Sequence, residues 1–493
     1  MFYLNREELK DKILGCWIGK NIGGTMGTPY EGSSSMQDIQ GFKSAKGEPL
    51  PNDDLDLQLI WLRAVEQEGP WHLSATVLSE YWLQFITPHW NEYGVGKSNL
   101  IAGFLPPMSG ELNNEVWRHS NGAWIRSEIW ACLAPGYPEI ACRYAFMDAS
   151  VDHGTSEGTS AELFTAALQS LAFRETDLRT LIDKSLAFIS EDSRVFKSVK
   201  KVIELYDAGV DYRTAREEIV KMNSDLGWFQ APSNVAFVLI GLIYGEGDFK
   251  KSMIYSINCG DDTDCTGATV GAIMGIMYGA EKIPSDWREY IGDSIKSICI
   301  APDDTMAATT CTKLTERVMR MIPMVFRANN VVMDFTDGET KYDENVAGSA
   351  WGDQTSVETY LFGLPDVREK FKFKRYSFEA FHTVHTDGYI EFEKKPEIAP
   401  GEEIELTLYM KNLKVDQRYA YINLHLPEGW SASYDRTVFI DRYYNPAHPE
   451  LKTECKIKIT AGEKVLPKNR IIMDIEFDSK ATDAYATINI LGK

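Results

Sequence analysis

Two short acidic motifs carry the residues best suited to chemistry, one at residues 52–56 (NDDLD) and one at 260–265 (GDDTDC). Each stands just before a segment of helical periodicity, so we expect both at helix N-termini, where the helix dipole favours ionised carboxylates. Crowded carboxylates repel one another unless a cation neutralises them, and such oxygen ligands suit Mg²⁺, Mn²⁺ or Ca²⁺. A simpler interpretation is that these residues only cap helices, although each motif has more of them than one cap uses. The motifs therefore predict a metal site.

A series of glycines lies beside each acidic motif. The first has glycines at positions 15, 19, 23 and 27, and the second has them at 267, 271, 275 and 279. A spacing of four residues places glycines on one face of a helix, where a partner backbone can approach closely. Because an interior helix glycine costs about 1 kcal/mol relative to alanine, we expect these two helices to be central and closely packed. The alternative is a chance spacing together with loop glycines near residues 23–27.

The elements that must position these motifs are predicted to be helices up to about residue 330. Asn5 and Glu8 are typical of a capping box, and a polar, Gly- and Asp-rich stretch follows the helical region. From about residue 371 the pattern changes to short alternating strands separated by turn residues, which predicts a β-sandwich. The fold class is therefore mainly α with an all-β C-terminal domain. The predicted domains are residues 1–330, a connecting segment at 331–370, and 371–493.

Composition limits the class of function. The chain has 493 residues and a formal net charge of −21, which disfavours binding to nucleic acid or an anionic membrane. No apolar run is long enough to insert into a membrane, and the charged N-terminus is unlike a signal peptide. The eight cysteines include no CxxC pair, so we expect reduced thiols and a cytoplasmic protein. A secreted or periplasmic location stays open if a leader has been removed, and the sequence does not predict the oligomeric state.

Five motifs, in order, resemble the ADP-ribosylglycohydrolase family over about the first two-thirds of the chain. They lie at residues 15–31, 52–54, 121–126 (NGAWIR), 152–153 and 260–265. The resemblance implies an all-helical catalytic domain that binds two ions, Mg²⁺ or Mn²⁺, between the two acidic motifs. The metal ligands that it implies are Asn52, Asp53, Asp54, Asp262, Asp264 and Cys265.

Two of these implied ligands depart from the pattern of the family. Asn52 and Cys265 each stand where the family has threonine. An amide oxygen can still bind a hard cation, whereas a thiol is a softer ligand than a hydroxyl group. The last third of the chain is similar to the immunoglobulin-like domains of carbohydrate-active enzymes, in Pro400-Gly401 and residues 426–430 (LPEGW). This similarity favours a sugar or glycan as the substrate.

Several other residues are candidates for the site. Glu31 and Asp53 are predicted to transfer protons in catalysis. The resemblance implies that Asn121, Gly122, Asp152 and His153 bind the substrate. The aromatic loop 89–94 is a candidate substrate contact, Glu157 is a candidate partner of His153, and the acidic pair 303–304 is expected to cap a helix.

We therefore expect a metal-dependent hydrolase that cleaves a glycosidic bond. By resemblance, its small-molecule or glycan substrate is an ADP-ribosyl group or a related N- or O-glycoside. The alternatives are a glycosidase for a plain sugar or glycan, and a catalytically silent glycan-binding protein.

Overall fold

The computed structural model describes residues 2–301, 304, 306–343, 376–383, 385–412, 414, 416–441 and 453–493. The α-helices of these residues are α1 (Arg6–Gly27), α2 (Asp53–Glu68), α3 (Ala75–Phe85), α4 (Asn91–Ile101), α5 (Met108–Glu111), α6 (Glu128–Leu133), α7 (Pro138–Asp152), α8 (Glu157–Leu171), α9 (Leu178–Leu186), α10 (Arg194–Asp207), α11 (Tyr212–Met222), α12 (Ala231–Gly245), α13 (Phe249–Asn258), α14 (Thr263–Tyr278), α15 (Ser285–Ile291) and α16 (Cys311–Ala328). The strands are β1 (Phe2–Asn5), β2 (Met333–Thr336), β3 (Ser377–His382), β4 (Thr386–Phe392), β5 (Glu397–Ile398), β6 (Glu403–Asn412), β7 (Arg418–His425), β8 (Ser431–Tyr434), β9 (Thr437–Ile440), β10 (Thr453–Thr460), β11 (Lys468–Phe477) and β12 (Ala484–Gly492). A helical region followed by a β region is thus confirmed.

The first helix begins as its sequence predicts. The side chain of Asn5 accepts a hydrogen bond of 2.8 Å from the backbone N–H of Glu8, which satisfies one of the free donors of the first turn. Just before it, β1 pairs in parallel with β2, so that Phe2 lies opposite Met333. The chain entering α1 is therefore held against the segment that follows the last helix.

The two glycine series face each other, as expected, along α1 and α14. A Cβ atom added at Gly19 would lie 2.0 Å from the carbonyl oxygen of Gly271, and one added at Gly271 would lie 2.0 Å from the carbonyl oxygen of Gly19. At Gly15 the nearest atom would be the carbonyl oxygen of Gly275, at 2.4 Å. Only glycine lets the two backbones approach this closely. The contact fixes the start of α14, and with it the second acidic motif, beside α1.

The β region consists of two five-stranded sheets among the described residues. Their strand orders are β3-β4-β6-β10-β8 and β5-β12-β11-β7-β9, and the pairs are antiparallel except for β5 with β12. Buried and exposed residues alternate along β10 and β11, as the sequence predicts. The inward-facing residues of both sheets form one apolar cluster, so the sheets pack against each other.

The helical region contributes to that same apolar cluster. Phe104, Met108 and Leu112, which lie at or near α5, are buried among the side chains of the β region. The side chain of Asn489 also donates a hydrogen bond of 2.8 Å to the carbonyl oxygen of Gly103. The two regions therefore share an interface.

The boundaries at residues 330 and 370 remain predictions. β2 lies within the expected connecting segment, and Tyr342 packs near Tyr137 of the helical region. The rest of that segment, from residue 344, and the first residues of the expected β domain lie outside the described residues. None of the described helices is both long and apolar enough to cross a bilayer.

Candidate functional site

The two acidic motifs meet at the N-termini of α2 and α14, as the sequence predicts. The side-chain oxygen of Asn52 caps α2 by accepting a hydrogen bond of 2.8 Å from the backbone N–H of Asp54. Its amide nitrogen donates to Asp264 at 3.2 Å, which links the first motif to the second. Asn52 therefore connects the motifs with its nitrogen, while its oxygen, the atom expected to bind a metal, takes part in the helix cap.

Ligand atoms of these motifs form two adjacent clusters. Atoms of Asp54, Asp264 and Cys265 lie within 4.8 Å of one another, and so do atoms of Glu31, Asp262 and Asp264. Asp264 belongs to both clusters, which is the arrangement that two neighbouring cations would need. The thiol of Cys265 lies 3.5 Å from a carboxylate oxygen of Asp54.

The carboxylate oxygens of the two clusters fit a divalent cation. One carboxylate oxygen of Asp262 and one of Asp264 are buried and have no hydrogen-bond partner in the described part of the chain. Such oxygens are costly unless something binds them. Burial, followed by the charges of Asp262 and Glu31, raises the pKa of Asp264 well above its usual range. A divalent cation fits here, because it would favour the ionised carboxylates that burial disfavours.

A lysine absent from the sequence prediction lies beneath this cluster. Lys20 of α1 is fully buried, 3.3 Å from Asp54 and 3.1 Å from Glu128, and it donates to the carbonyl oxygen of Ile125 at 2.8 Å. Burial opposes its charged form, yet the carboxylates of Glu128 and Asp54 outweigh burial and raise its pKa above the usual range. A lysine within the apolar, glycine-rich sequence of α1 was the signal that could have revealed it.

A cavity of about 610 Å³ opens above the acidic motifs. Its wall contains the aromatic loop that the sequence suggested as a substrate contact, and the described residues that line it are Thr28, Glu31, Pro51, Asn52, Asp53, His89, Trp90, Asn91, Glu92, Tyr93, Ser120, Asn121, Gly122, Ile125, Phe229, Asp262, Asp264, Cys265 and Ile298. Asp54 lies beneath it, fully buried.

Glu31 and Asp53, the predicted catalytic residues, both line this cavity. Glu31 remains exposed at the mouth, yet partial desolvation and the charges of Asp262 and Asp53 raise its pKa to about 7. The hydroxyl group of Tyr93 donates a hydrogen bond of 2.9 Å to Asp53. A group with a pKa near neutrality can exchange protons at physiological pH, whereas Asp53 is held in a fixed orientation.

Asn121 and Gly122 also line the cavity. The amide of Asn121 donates a hydrogen bond of 2.7 Å to Asp262, and its oxygen accepts one of 3.0 Å from the indole of Trp124. Asn121 therefore orients an acidic residue of the second motif as well as forming the wall.

Asp152 and His153 lie behind the wall and are both fully buried. The Arg126 guanidinium donates to both carboxylate oxygens of Asp152, at 2.8 and 3.1 Å. Burial would raise the pKa of Asp152, but Arg126 and His153 hold it well below its usual range. The ring of His153 lies 2.9 Å from Asp152 on one side and 3.2 Å from the hydroxyl group of Ser120, a wall residue, on the other. A direct substrate contact by either residue stays a prediction.

Glu157 and Asp304, two further candidates from the sequence, form local structural contacts. Glu157 accepts the backbone N–H groups of Arg194 and Val195 at the start of α10 and is not paired with His153. Asp304 forms an ion pair of 2.7 Å with Arg63, whereas Thr310 caps the next helix, α16. The expectation that residues 303–304 cap a helix was therefore wrong for Asp304, and Asp303 lies outside the described residues.

Comparison with known proteins agrees with this geometry. Residues 5–322 match the model of the ADP-ribosylglycohydrolase family. The chain is 24% identical over 232 residues to ADP-ribosylhydrolase ARH3 of Gallus gallus, which covers 40% of this chain and 62% of the relative. It is also 24% identical over 311 residues to an uncharacterized protein of Archaeoglobus fulgidus, which covers 58% of this chain and 93% of that protein.

This chain thus spans about three-fifths of the length of its ARH3 relative. A solved structure of a FixG-related protein from Vibrio parahaemolyticus is similar over 22% of this chain and 99% of its own, with 9% identity. Its TM-score of 0.19 is too low to support a statement about fold or function. The family match, by contrast, covers well over half of the chain and contains both acidic motifs and the cavity wall. The chain therefore belongs to the ADP-ribosylglycohydrolase family.

Proposed function

We propose that this chain is a hydrolase that cleaves an N- or O-glycosidic bond in the cavity above α2 and α14, with the help of two divalent cations. The observation that carries this proposal is the pair of ligand clusters that share Asp264 at the cavity floor. Unpartnered buried oxygens on Asp262 and Asp264 support it, because helix caps alone would leave them unsatisfied.

Mg²⁺ or Mn²⁺ suits the carboxylate-rich donor set. The residues of the two clusters that would hold the ions are Glu31, Asp54, Asp262, Asp264 and Cys265, and Asn52 and Asp53 of the first motif would complete the set. When bound, such ions would orient sugar hydroxyl groups and lower the pKa of a water molecule. Lys20 would offset part of the negative charge of this set from below, since it contacts Asp54.

The proton transfers are assigned to Glu31 and Asp53. Water adds to the anomeric carbon while the bond from that carbon to the leaving nitrogen or oxygen breaks. One of the two carboxyl groups, in its ionised form, takes a proton from the water, and the other, in its protonated form, gives its proton to the leaving atom, so that the pair as a whole holds the same number of protons afterwards. Glu31 is suited to this exchange because its side chain stays accessible at the cavity mouth, next to Asp262 and Asp264.

The substrate class has two candidates. The ARH3 relatives are named as ADP-ribosylhydrolases, which suggests an ADP-ribosyl group. A plain sugar or glycan is the alternative, favoured by the β region, whereas exposed aromatic rings at the cavity such as Trp90 suit either class. We propose that this region is an immunoglobulin-like domain, because its two antiparallel sheets resemble that sandwich in layout. A silent glycan-binding protein is the remaining alternative.

The location proposed is the cytoplasm. All eight cysteines are buried and free of disulfides, which agrees with a reducing compartment.

A substrate panel tests the function. ADP-ribosyl-arginine, ADP-ribosyl-serine and aryl glycosides are incubated with the full chain in Mg²⁺, in Mn²⁺ and with EDTA. We expect hydrolysis of one class that EDTA abolishes and that Asp264→Asn reduces at least about a thousandfold, since a ligand of both clusters is lost. Asp286→Asn, on an exposed aspartate of α15, is the matched control. Hydrolysis that survives EDTA and Asp264→Asn would refute the two-cation proposal, and a cation-binding protein that cleaves no glycoside would favour the silent alternative.

A further inference from the structure

Asp261 lies in the second acidic motif but outside both ligand clusters. It is only 6% exposed and is not among the described residues that line the cavity. Its backbone has a φ of 66°, in the left-handed region that favours glycine. A residue with a side chain is disfavoured at such a position unless its contacts compensate. The contacts of the Asp261 carboxylate therefore indicate what this side chain does.

The carboxylate of Asp261 holds a residue of the cavity wall. Its oxygen Oδ1 accepts a hydrogen bond of 2.9 Å from the backbone N–H of Phe229, and Oδ2 accepts one of 3.3 Å from the side chain of Asn234 in α12. Phe229 lines the cavity and is itself left-handed, with a φ of 61°. This conformation is rare for a bulky residue. The hydrogen bond from Asp261 therefore stabilises a wall residue in a backbone conformation that it would not otherwise favour.

The backbone of Asp261 binds the turn that follows Glu31. Its N–H donates a hydrogen bond of 2.7 Å to the carbonyl oxygen of Ser33, and its carbonyl oxygen accepts one of 2.9 Å from the N–H of Gly32. These two hydrogen bonds form an antiparallel bridge between Ser33 and Asp261. Glu31 and Phe229 both line the cavity, so one residue outside the cavity contacts two segments of its wall.

We propose that Asp261 is a positioning residue for substrate binding, whose carboxylate fixes Phe229 in the cavity wall. This inference rests on the proposed function, because it takes the cavity as the place where the glycoside binds. Without the carboxylate, the backbone of Phe229 would leave its disfavoured conformation, and the ring would occupy the wall in only a fraction of the molecules. The affinity for a ligand falls in proportion to the fraction of molecules that is competent to bind it. Asp261 therefore acts without touching the substrate.

Isothermal titration calorimetry with ADP-ribose in Mg²⁺ measures this effect without turnover. Asp261→Gly removes the carboxylate, suits the left-handed backbone and keeps the two hydrogen bonds to the turn after Glu31. We expect this variant to bind ADP-ribose at least about tenfold more weakly than the full wild-type chain, and Mn²⁺ within about threefold of it. The matched control is Asp261→Asn, which keeps an oxygen acceptor for the N–H of Phe229 and should bind ADP-ribose within about threefold of the wild type.

A double-mutant cycle shows whether Asp261 acts through Phe229. Phe229→Ala should also weaken the binding of ADP-ribose, and the double variant with Asp261→Gly should bind no more weakly than the weaker of the two single variants. Additive losses would overturn the inference, as would an Asp261→Gly that binds ADP-ribose like the wild type. An Asp261→Gly that loses Mn²⁺ as well would also overturn it, because the carboxylate would then support the acidic motif itself. Urea unfolding curves show that each variant is folded.

Hydrogen exchange of the wild-type chain supplies a measurement that needs no variant. Bound ADP-ribose should slow the exchange of backbone amides in a peptide that contains residues 228–230. Unchanged exchange in this peptide, or no binding of ADP-ribose to the wild type, would overturn the inference. The outcome is separate from that of the substrate panel. A chain that binds ADP-ribose with the help of Asp261 but cleaves no glycoside would refute the proposed hydrolysis and leave the role of Asp261 intact.

Discussion

The glycine contact between α1 and α14 makes a quantitative prediction for Gly19→Ala. The new Cβ atom would lie 2.0 Å from a backbone oxygen, whereas ordinary contacts begin at 3.4 Å, so the two helices must separate by about 1.4 Å. Neither partner can rotate away, because both are backbone. Overpacking of a core typically costs about 1–3 kcal/mol and more where the surroundings are rigid. The higher helix propensity of alanine offsets only about 1 kcal/mol of this cost. Taking the upper end of that range for this backbone-to-backbone contact, we expect Gly19→Ala to lower the free energy of unfolding by about 2 kcal/mol.

Urea unfolding followed by tryptophan fluorescence measures this loss. Several fully buried tryptophans lie in the helical region, among them Trp17, Trp61 and Trp124, so the signal reports on that region. The matched control is Gly41→Ala, because a Cβ atom at Gly41 would meet nothing within 4 Å. Binding of Mn²⁺ should weaken only in Gly19→Ala, because displacement of α14 moves the second acidic motif. If the two variants differ in stability by less than about 0.5 kcal/mol, the close packing is not what requires glycine here.

Three further predictions concern the site and the domain interface. Asp264→Asn should abolish Mn²⁺ binding in a calorimetric titration. Cys265→Thr should keep Mg²⁺-dependent activity or improve it, because a hydroxyl group is a harder ligand than a thiol. An inactive Cys265→Thr together with an Asp264→Asn that still binds Mn²⁺ would show that the ligand set is wrong. The pKa of Glu92 is raised from 4.5 to about 7, so the folded state favours its neutral form, and stability is lost as pH rises through that interval. Unfolding curves at several pH values in EDTA should therefore show Glu92→Gln gaining up to about 3 kcal/mol on the wild type between pH 4 and pH 8, and parallel curves would contradict this. A chain truncated after β2 should keep its metal-dependent activity, because all the site residues precede β2. It should unfold at a lower urea concentration, because Phe104 and Met108 become exposed. A truncated protein that is folded but inactive would contradict the prediction on activity.

Much of the architecture could be predicted because its signals are local. Helical periodicity is visible in the sequence at residues 55–68, 160–172, 178–189, 198–208, 233–244, 267–278 and 312–321, and these segments correspond to α2, α8, α9, α10, α12, α14 and α16, with shifted ends. The longer strands show alternation because one face of each sheet is buried. Other elements lacked such a signal. α7 is buried on nearly all sides, so its apolar residues show no single stripe, and buried polar groups such as Asp148 interrupt the pattern.

The site was predictable where its residues are grouped in the sequence and not where they meet only in three dimensions. The acidic motifs, Asn121 and Gly122 were found because crowding or motif order marks them. Lys20 was missed, and Glu92 was included only as part of the loop 89–94, since an isolated charged residue looks like a surface residue until its burial is known. The complete burial of His153 was not predicted either. It depends on the ion pair of Asp152 with Arg126 and on the contact of Asp152 with His153, and the spacing of residues in the sequence reveals neither.

The contact between α1 and α14 also has a consequence for the order of events during protein synthesis. Gly19 leaves the ribosome early, but its partner Gly271 follows only after about 250 further residues, and β1 waits still longer for β2. Until then the glycine face of α1 lacks the helix that it packs against. Nascent chains in this state expose apolar surface and depend on chaperones. The metal centre, whose two halves lie at opposite ends of this interval, is therefore expected to be among the last features of the helical region to form.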